Sequence, residues 1–236
     1  MKKIISFCLL LSSGYFFSSC NELSGSGVVV TENRSVGSFH ALEARQGFDV
    51  QIREGDRVEV QIEADDNVIR DVITKVDDDG TLHIGVDHNR LMNVHLKAFV
   101  TYQKLDEIHT SSGANVTGTG TLKTNQLDLH ASSGSGIELD VDAPAVSAQV
   151  SSGSNIKLRG RTKNYEVDAS SGGDIDSGEL LSENAVAHAS SAGDIHLHAS
   201  VTLDAHASSG GSIHFRGKPT KVTQESNSGG SVDAEN

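Results

Sequence analysis

The sequence predicts an all-β protein built as a parallel β-solenoid with coils of about 19 residues. Three observations support this prediction. A phrase of the form SSG recurs along the chain, its copies are almost evenly spaced, and apolar and polar residues alternate on both sides of each copy. Aromatic residues make up only 4% of the 236 residues, and tryptophan is absent. This composition is typical of a core made of small and β-branched side chains.

The first serine of each phrase marks the repeat. The markers are Ser111, Ser132, Ser151, Ser170, Ser190 and Ser208, and a degraded copy begins at Asn227. Successive markers are 21, 19, 19, 20, 18 and 19 residues apart, as expected if each repeat forms one coil. The repeat shows none of the six-residue sub-period of left-handed hexapeptide helices, so we predict a right-handed β-helix.

Columns of equivalent residues define the strands on either side of the marker. The fifth residue after each marker is β-branched, which predicts a buried position stacked from coil to coil: Val116, Ile137, Ile156, Ile175, Ile195, Ile213 and Val232. Before the marker, the first and third residues are mostly small or apolar, whereas the second is polar. This parity predicts a strand with one face inward and with histidine, glutamine or acids outward.

The second serine and the following residue are predicted to form a corner between two strands. Glycine permits positive φ, and Ala192 replaces it in one copy. Serine hydroxyls stacked along the coil axis are predicted to bond to backbone or to one another. The corner residues are Ser112, Ser133, Ser152, Ser171, Ser191 and Ser209, with Gly134, Gly153, Gly172 and Gly210.

Residues 106–236 are predicted to form the regular coils, and residues 28–105 a less regular β-rich part of the same solenoid. The segment ALEARQGFDVQI (41–52) resembles the later corners, with Gly47 in the bend. The segment DDNVIRDVI is predicted to form one short helix capped by Asp65 or Asp66. DDDG (77–80) is predicted to form a turn before a strand.

The N-terminus has the layout of a bacterial lipoprotein signal. Two lysines precede an apolar run and small residues that end at Cys20, which predicts a signal peptide at 1–19 and a lipidated tether at 20–27. An ordinary signal peptide or an uncleaved anchor is the alternative. Lipid on Cys20 predicts an exported protein held in a bilayer of the cell envelope, most simply the outer membrane, facing either the periplasm or the outside.

Charge excludes one class of partner. The formal charge of the whole chain is −13, and without the signal it is −15, from 17 basic and 32 acidic residues. Such a surface repels nucleic acid and anionic lipid headgroups, since both are bound through lysine and arginine. Membrane association is therefore predicted to come from the lipid and not from a basic patch.

The whole layout resembles the head GIN domain family of auto-transporter adhesin-like lipoproteins in bacterial envelopes. The resemblance rests on the lipoprotein signal, on GSGVVVTENRSVGSFHALEARQGFDVQIREGDRVEVQIEADDNVI, on DGTLHI and on the serial SSG corners, and it covers nearly the whole mature chain. The bend that names the family is here GFD (Gly47, Phe48 and Asp49). The resemblance implies a right-handed β-helical fold, an adhesin-like role and no established enzymatic activity, and it brings no functional residues.

Eleven histidines provide the candidate metal ligands. Six residues after the marker, four successive coils carry Asp176, His196, His214 and Asp233, and two residues before it they carry Asp168, His188, His206 and Glu225. Rungs of a solenoid lie about 4.8 Å apart. Asp176, His196, His214, His188 and His206 are therefore candidates for zinc or copper, and an outward polar ladder that keeps the face soluble is the alternative.

The same columns also bear on whether the protein is an enzyme, a binding protein or a scaffold. A polysaccharide-active enzyme is disfavoured because basic residues are scattered and aromatic platforms are few, and Ser–His pairs recur as columns where a nucleophile needs one unique triad. We expect a non-enzymatic protein without a cofactor that binds a glycan or protein ligand. A self-assembling envelope scaffold is the alternative, and the polar tail NSGGSVDAEN favours a monomer or a small closed oligomer.

Overall fold

The computed structural model describes residues 23–87 and 91–235. The predicted signal peptide and Cys20 lie outside the described residues. The strands are β1 (Leu23–Ser24), β2 (Val29–Arg34), β3 (Ala41–Ala44), β4 (Asp49–Glu54), β5 (Glu59–Asp65), β6 (Val72–Val76), β7 (Thr81–Val86), β8 (Leu91–Met92), β9 (Leu96–Tyr102), β10 (Glu107–Thr110), β11 (Asn115–Lys123), β12 (Gln126–Ala131), β13 (Gly136–Val150), β14 (Asn155–Ala169), β15 (Asp174–Ala189), β16 (Asp194–Ala207), β17 (Ser212–Arg216), β18 (Lys221–Ser226) and β19 (Ser231–Ala234). Over these residues no helix is long and apolar enough to cross a membrane.

Successive coils stack in parallel, which confirms the predicted β-solenoid. Strands β13 and β14 pair from Gly136–Asn155 to Val150–Ala169, so that partners are 19 residues apart. The same parallel pairing continues from β14 to β15 and from β15 to β16, with small register shifts at bulges. Each coil therefore places its side chains directly over those of the coil before it.

Each coil contributes to two faces that meet at the SSG corner. The pre-corner face contains β6, β7, β3, β10, β12, β18 and the second halves of β13 to β16. The post-corner face contains β2, β5, β9, β4, β11, β17, β19 and the first halves of β13 to β16. The predicted inward column is buried, with exposed fractions of 0–1% from Val116 to Ile213. Inward parity changes between Ala143 and Val146, where the chain bends back without breaking the strand.

Two consecutive residues with positive φ make each corner. At Ser133 and Gly134 φ is 56° and 71°, and the same pair of signs recurs at every SSG corner, including Ser191 and Ala192 with 49° and 61°. A hydrogen bond from the amide three residues after the marker to the marker carbonyl closes the turn, as at Gly173 to Ser170 (2.9 Å). The φ signs are those of a type I′ turn, which reverses the chain tightly.

Backbone, and not serine hydroxyls, joins one corner to the next. The amide of Gly134 donates to the carbonyl of Ser152 at 3.1 Å, and the equivalent bond recurs along the stack. The hydroxyl bonds predicted for the corner are made by a different serine, three residues after the marker. Ser154 donates its hydroxyl to the carbonyl of Ala131 at 2.7 Å, while the corner serines themselves are exposed.

The first coils begin at the corner predicted around Gly47. Gln46 and Gly47 have φ values of 57° and 74°, and the Gly47 amide donates to the carbonyl of Ser112 at 3.0 Å. Between these two corners the chain makes an excursion that is not parallel throughout. Strand β9 pairs parallel with β4 and antiparallel with β5, and β2 and β6 add antiparallel edges to the two faces.

The prediction of a short helix over DDNVIRDVI is wrong for most of that segment. Only Ile69–Asp71 forms a 3-10 helix, because Val72 is already extended and enters β6. Asp65 does not cap it. Its two carboxylate oxygens instead accept hydrogen bonds from the amides of Gly27 and His95, each at 2.7 Å, so Asp65 ties together three separate segments. The predicted turn at 77–80 is present and leads into β7.

Alanine substitutions at two glycines distinguish the cost of backbone strain from the cost of a clash between neighbouring coils. A Cβ on Gly160 would lie 2.1 Å from the carbonyl oxygen of Val141 on the neighbouring coil, whereas a Cβ on Gly134 meets nothing within 4 Å. Both glycines have positive φ. We expect Gly134→Ala to cost about 1–2 kcal/mol of unfolding free energy and Gly160→Ala about 3 kcal/mol or more.

Urea unfolding followed by far-UV circular dichroism measures both changes. Ala192→Gly is the reciprocal control, since it relieves the strained corner and is expected to stabilise the protein by about 1 kcal/mol. Equal losses for Gly134→Ala and Gly160→Ala would contradict the close approach of the two coils.

Candidate functional site

The structure divides the candidate histidines between the two faces. His196 and His214 are register partners on β16 and β17 in the post-corner face. His188 and His206 are register partners on β15 and β16 in the pre-corner face. The five predicted metal candidates therefore do not form one site, and the two histidine pairs have different surroundings.

The post-corner pair lies between two carboxylates that the sequence analysis did not include. The rings of His196 and His214 stack with centroids 4.8 Å apart and planes 19° apart. Asp194 lies on the Nε2 side of both rings, with one oxygen 3.8 Å from Nε2 of His196 and the other 3.8 Å from Nε2 of His214. One potential ligand atom from each of these three residues lies within 4.8 Å of the others.

Glu235 occupies the opposite side of the same rings. Its Oε1 is 3.3 Å from Nδ1 of His196 and 3.9 Å from Nδ1 of His214. Its other oxygen accepts a hydrogen bond from Nε of Arg216 at 2.9 Å. We call Asp194, His196, His214 and Glu235 the imidazole–carboxylate cluster. Its histidines are about one-third exposed, so it is open to solvent.

Asp176 is adjacent to the cluster but engaged elsewhere. It is the register partner of His196, and it forms an ion pair with Lys157 at 3.0 Å. The acid nearest the Nε2 atoms is Asp194, two residues before His196 on the same strand. The DIH spacing of Asp194 and His196 was a usable signal, because alternate residues of a strand share a face. Glu235 was not predictable, since its position depends on the tail folding as another coil.

Burial also affects the acid that stacks on the cluster. Asp174 is the register partner of Asp194. Partial burial, together with the negative charge of Asp194, raises the pKa of Asp174 above its ordinary value. The proximity of the two acids therefore disfavours the ionised form of Asp174.

The pre-corner pair has carboxylates at hydrogen-bonding distance. The rings of His188 and His206 stack with centroids 5.1 Å apart. Nε2 of His206 is 3.0 Å from Asp204, and its Nδ1 is 3.2 Å from Glu225. Both nitrogens of His206 therefore already have an acid beside them.

A third histidine pair stands near the start of the regular coils. The rings of His109 and His130 stack with centroids 4.5 Å apart, and Nε2 of His109 is 2.5 Å from Glu107. Burial first, and the neighbouring His109 second, lower the pKa of His130 below its ordinary value. The surroundings of His130 therefore disfavour its protonated, positively charged form.

An open groove of about 600 Å³ runs along the pre-corner face. It touches six successive strands, from Gln126 on β12 to Lys221 on β18, a span of roughly 24 Å at the usual rung spacing. An amide ladder follows its length: Asn184 donates to Asn164 at 3.1 Å and accepts from the hydroxyl of Thr202 at 2.9 Å. The acids that border it are Asp128, Glu166 and Asp204.

A larger groove of about 850 Å³ lies on the irregular coils, lined by strands β2, β4, β5 and β9. Three arginines border it, but each has an acid beside it. Arg34 pairs with Glu32 at 2.9 Å, Arg57 with Glu59 at 2.7 Å, and Arg53 with the same Glu59 at 3.7 Å. This surface therefore does not concentrate positive charge for an acidic ligand.

Stacked coils with outward polar columns define a β-solenoid of the adhesin-like class. A family described as "Putative auto-transporter adhesin, head GIN domain" matches residues 38–219. The chain belongs to this family, as the sequence resemblance predicted. The same membership indicates a surface or envelope protein.

Solved structures share the fold. A putative adhesin from Bacteroides fragilis is 21% identical with a TM-score of 0.85, over 90% of this chain and 100% of that one. From Parabacteroides distasonis, a putative adhesin is 18% identical with a TM-score of 0.74, over 91% of this chain and 100% of that one. A protein from the same organism named a putative lipid binding protein is also 18% identical, with a TM-score of 0.72 and the same coverage. A comparison with curated proteins gave no significant match.

The His109–His130 pair predicts a specific pH dependence. Because the pKa of His130 is lower in the folded chain than the ordinary value of about 6.5, the unfolded chain binds more protons as the pH falls below about 6.5. Stability is therefore lost between about pH 6.5 and the lowered pKa. His130→Gln copies Gln149, its partner on the next coil, and removes this loss.

Urea unfolding at about pH 7 and pH 5 measures the effect. We expect His130→Gln to gain stability relative to the unsubstituted protein as the pH falls. His188→Gln, on the same face, is the control and is not expected to gain in this way. A constant difference between His130→Gln and the unsubstituted protein at both pH values would contradict the lowered pKa.

Proposed function

We propose that the protein is a non-enzymatic, lipid-anchored envelope lipoprotein whose solenoid binds an extended macromolecular ligand along the pre-corner groove. The observation that carries the proposal is the continuous groove, lined by both polar and apolar side chains, that crosses six strands. Because successive coils offer similar contacts at one regular spacing, the groove suits a ligand that is itself an extended polymer.

The chemistry of the groove supports a neutral or basic ligand. The amide ladder of Asn164 and Asn184 leaves further donors and acceptors unused, since each side-chain amide offers two N–H donors and a carbonyl. Acids line the groove, and Lys221 is its one cationic residue among those described. An acidic polysaccharide would meet like charge along most of this length.

Non-enzymatic action is supported by how the polar groups are distributed. The groove is lined by amides, hydroxyls and acids that recur from strand to strand, and no histidine lines it among the described residues. Catalysis by a nucleophile or an acid–base pair requires one arrangement that differs from its neighbours. Family membership and the names of the structural relatives point in the same direction, since all describe adhesion or binding.

An exposed valine in the groove allows a direct test. Val186 is 39% exposed within the groove, and Leu181 is 56% exposed on the same strand outside it. On an array of neutral and acidic glycans, we expect binding to neutral glycans only. Val186→Arg is expected to weaken that binding about tenfold or more, because a long cationic side chain fills the groove.

Leu181→Arg adds the same side chain to the same coil and is expected to leave binding unchanged. Equal losses in both variants, or retention of acidic glycans alone, would contradict the groove as the binding surface. If no glycan binds, a library of extended neutral and basic peptides tests the protein-ligand form of the proposal with the same two variants.

A self-assembling scaffold is the second candidate, and the C-terminal edge favours it. Every residue of β18 is exposed, and β18 pairs only with β16 among the described strands. The tail folds as a further coil, with β19 paired to β17, so it does not cover this edge. Sedimentation over a range of concentrations distinguishes the two: growing polymers support the scaffold, and a fixed mass supports the binding protein.

The predicted anchor is part of the proposal. We expect Cys20→Ser to move the protein from the membrane fraction to the soluble fraction, because residue 20 then no longer carries lipid. A protein that remains in the membrane fraction would contradict anchoring through Cys20. Protease treatment of intact cells then separates the orientations, since digestion indicates outward display and protection indicates a periplasmic position.

A further inference from the structure

We propose that Asp194, His196 and His214 bind a zinc ion on the post-corner face, and that Glu235 orients the two imidazoles for it. The site lies at the C-terminal end of the solenoid, on the post-corner face, whereas the groove lies on the pre-corner face. The inference does not rest on the proposed ligand binding.

The ligand atoms lie close together on one side of the stacked rings. Asp194 lies 3.8 Å from Nε2 of each histidine, which is too long for a hydrogen bond. Zinc–nitrogen and zinc–oxygen bonds of about 2.1 Å in a tetrahedron place ligand atoms about 3.4 Å apart. The two Asp194–histidine distances exceed this spacing by a few tenths of an ångström, and the three ligand atoms all lie within 4.8 Å of one another, so the imidazoles must turn towards each other to hold one ion.

Glu235 stands beside the ring nitrogens that face away from the proposed ion, where zinc-bound histidines usually have a carboxylate. A metal-bound histidine usually donates its other ring N–H to a carboxylate, which fixes the tautomer. Here Glu235 faces Nδ1 of both rings while Asp194 faces Nε2 of both. At 3.3 Å, Glu235 is near enough to hold a proton on Nδ1 of His196 after a small movement, whereas the 3.9 Å to His214 must shorten when an ion binds, and Arg216 holds Glu235 in place.

The carboxylate of Asp194 is not fully hydrogen-bonded. Its Oδ1 atom is buried and accepts no hydrogen bond from the described residues. A buried carboxylate oxygen without a donor is costly. A cation bound at the cluster would satisfy this oxygen, and His214, 3.8 Å away, would share the ion with it.

The other stacked pair serves as an internal contrast. At His206, Nδ1 forms a hydrogen bond with Glu225 at 3.2 Å, and Nε2 lies 3.0 Å from Oδ1 of Asp204, which like Oδ1 of Asp194 is buried without a hydrogen bond from the described residues. Both pairs have stacked rings and nearby acids, so those features alone do not define the proposed site. The difference is the wider gap on the Nε2 side of His196 and His214.

The donor set favours zinc among common divalent ions. Two imidazoles and one carboxylate suit zinc, whereas calcium and magnesium prefer oxygen ligands throughout. Three protein ligands leave the fourth position open. At a surface with one-third-exposed histidines, that position is accessible to water or to a donor group on a bound molecule.

Isothermal titration of chelator-treated, full-length protein in detergent with zinc chloride tests the site. We expect one zinc per chain, no heat with calcium chloride, and loss of binding below about pH 6, because the histidines must be neutral to bind. His196→Ala and His214→Ala are expected to abolish binding. Asp194→Asn and Glu235→Gln are expected to weaken it about 10–100-fold.

His188→Ala and His206→Ala are the matched controls and are expected to keep full binding. Circular dichroism of each variant verifies that it is folded. Absence of zinc binding in the unsubstituted protein would overturn the inference. It would also be overturned by binding that survives the substitutions at His196 and His214, or by binding that is lost only in the two controls.

Discussion

Backbone pairing between equivalent residues of neighbouring coils is the constraint on which the rest of the structure depends. The positive-φ pair at each corner reverses the chain in four residues, and the corner amide then bonds to the carbonyl of the next corner. Because the turns are joined to one another, the strands on both sides keep one register along the stack. The corner sequence therefore recurs within the chain for its backbone geometry, and the hydroxyls of the corner serines are not what joins the coils.

A fixed register converts a repeat in sequence into columns in space. Inward columns form one continuous core of small and β-branched residues, and outward columns bring together side chains about 19 residues apart. Variation within an outward column then creates local chemistry. The stacked pairs His188–His206 and His196–His214 occupy similar places in their strands, yet an acid lies 3.0 Å from Nε2 of His206 and 3.8 Å from Nε2 of both His196 and His214.

The regular coils were predictable because local signals agree there. Corner, parity and β-branched columns recur seven times between Ser111 and the tail, and the predicted corner at Gly47 follows from the same pattern. Long-range insertions were not predictable: β9 enters between β4 and β5, and Asp65 leaves its expected capping role to bind Gly27 and His95. At the candidate site, the histidine column was visible in the sequence, whereas Glu235 depends on the path of the final coil.

Engineered disulfides between coils test the register most directly. Glu138 and Lys157 are outward register partners on adjacent coils, so cysteines at these positions place their Cα atoms about 4.8 Å apart, within the range for a disulfide. With cysteines at Glu138 and Arg159, two residues out of register, the Cα separation is roughly 8 Å. The solenoid predicts that the first pair oxidises fully and the second remains reduced by mass spectrometry. Oxidation of the second pair in preference to the first would contradict the register that places every outward column.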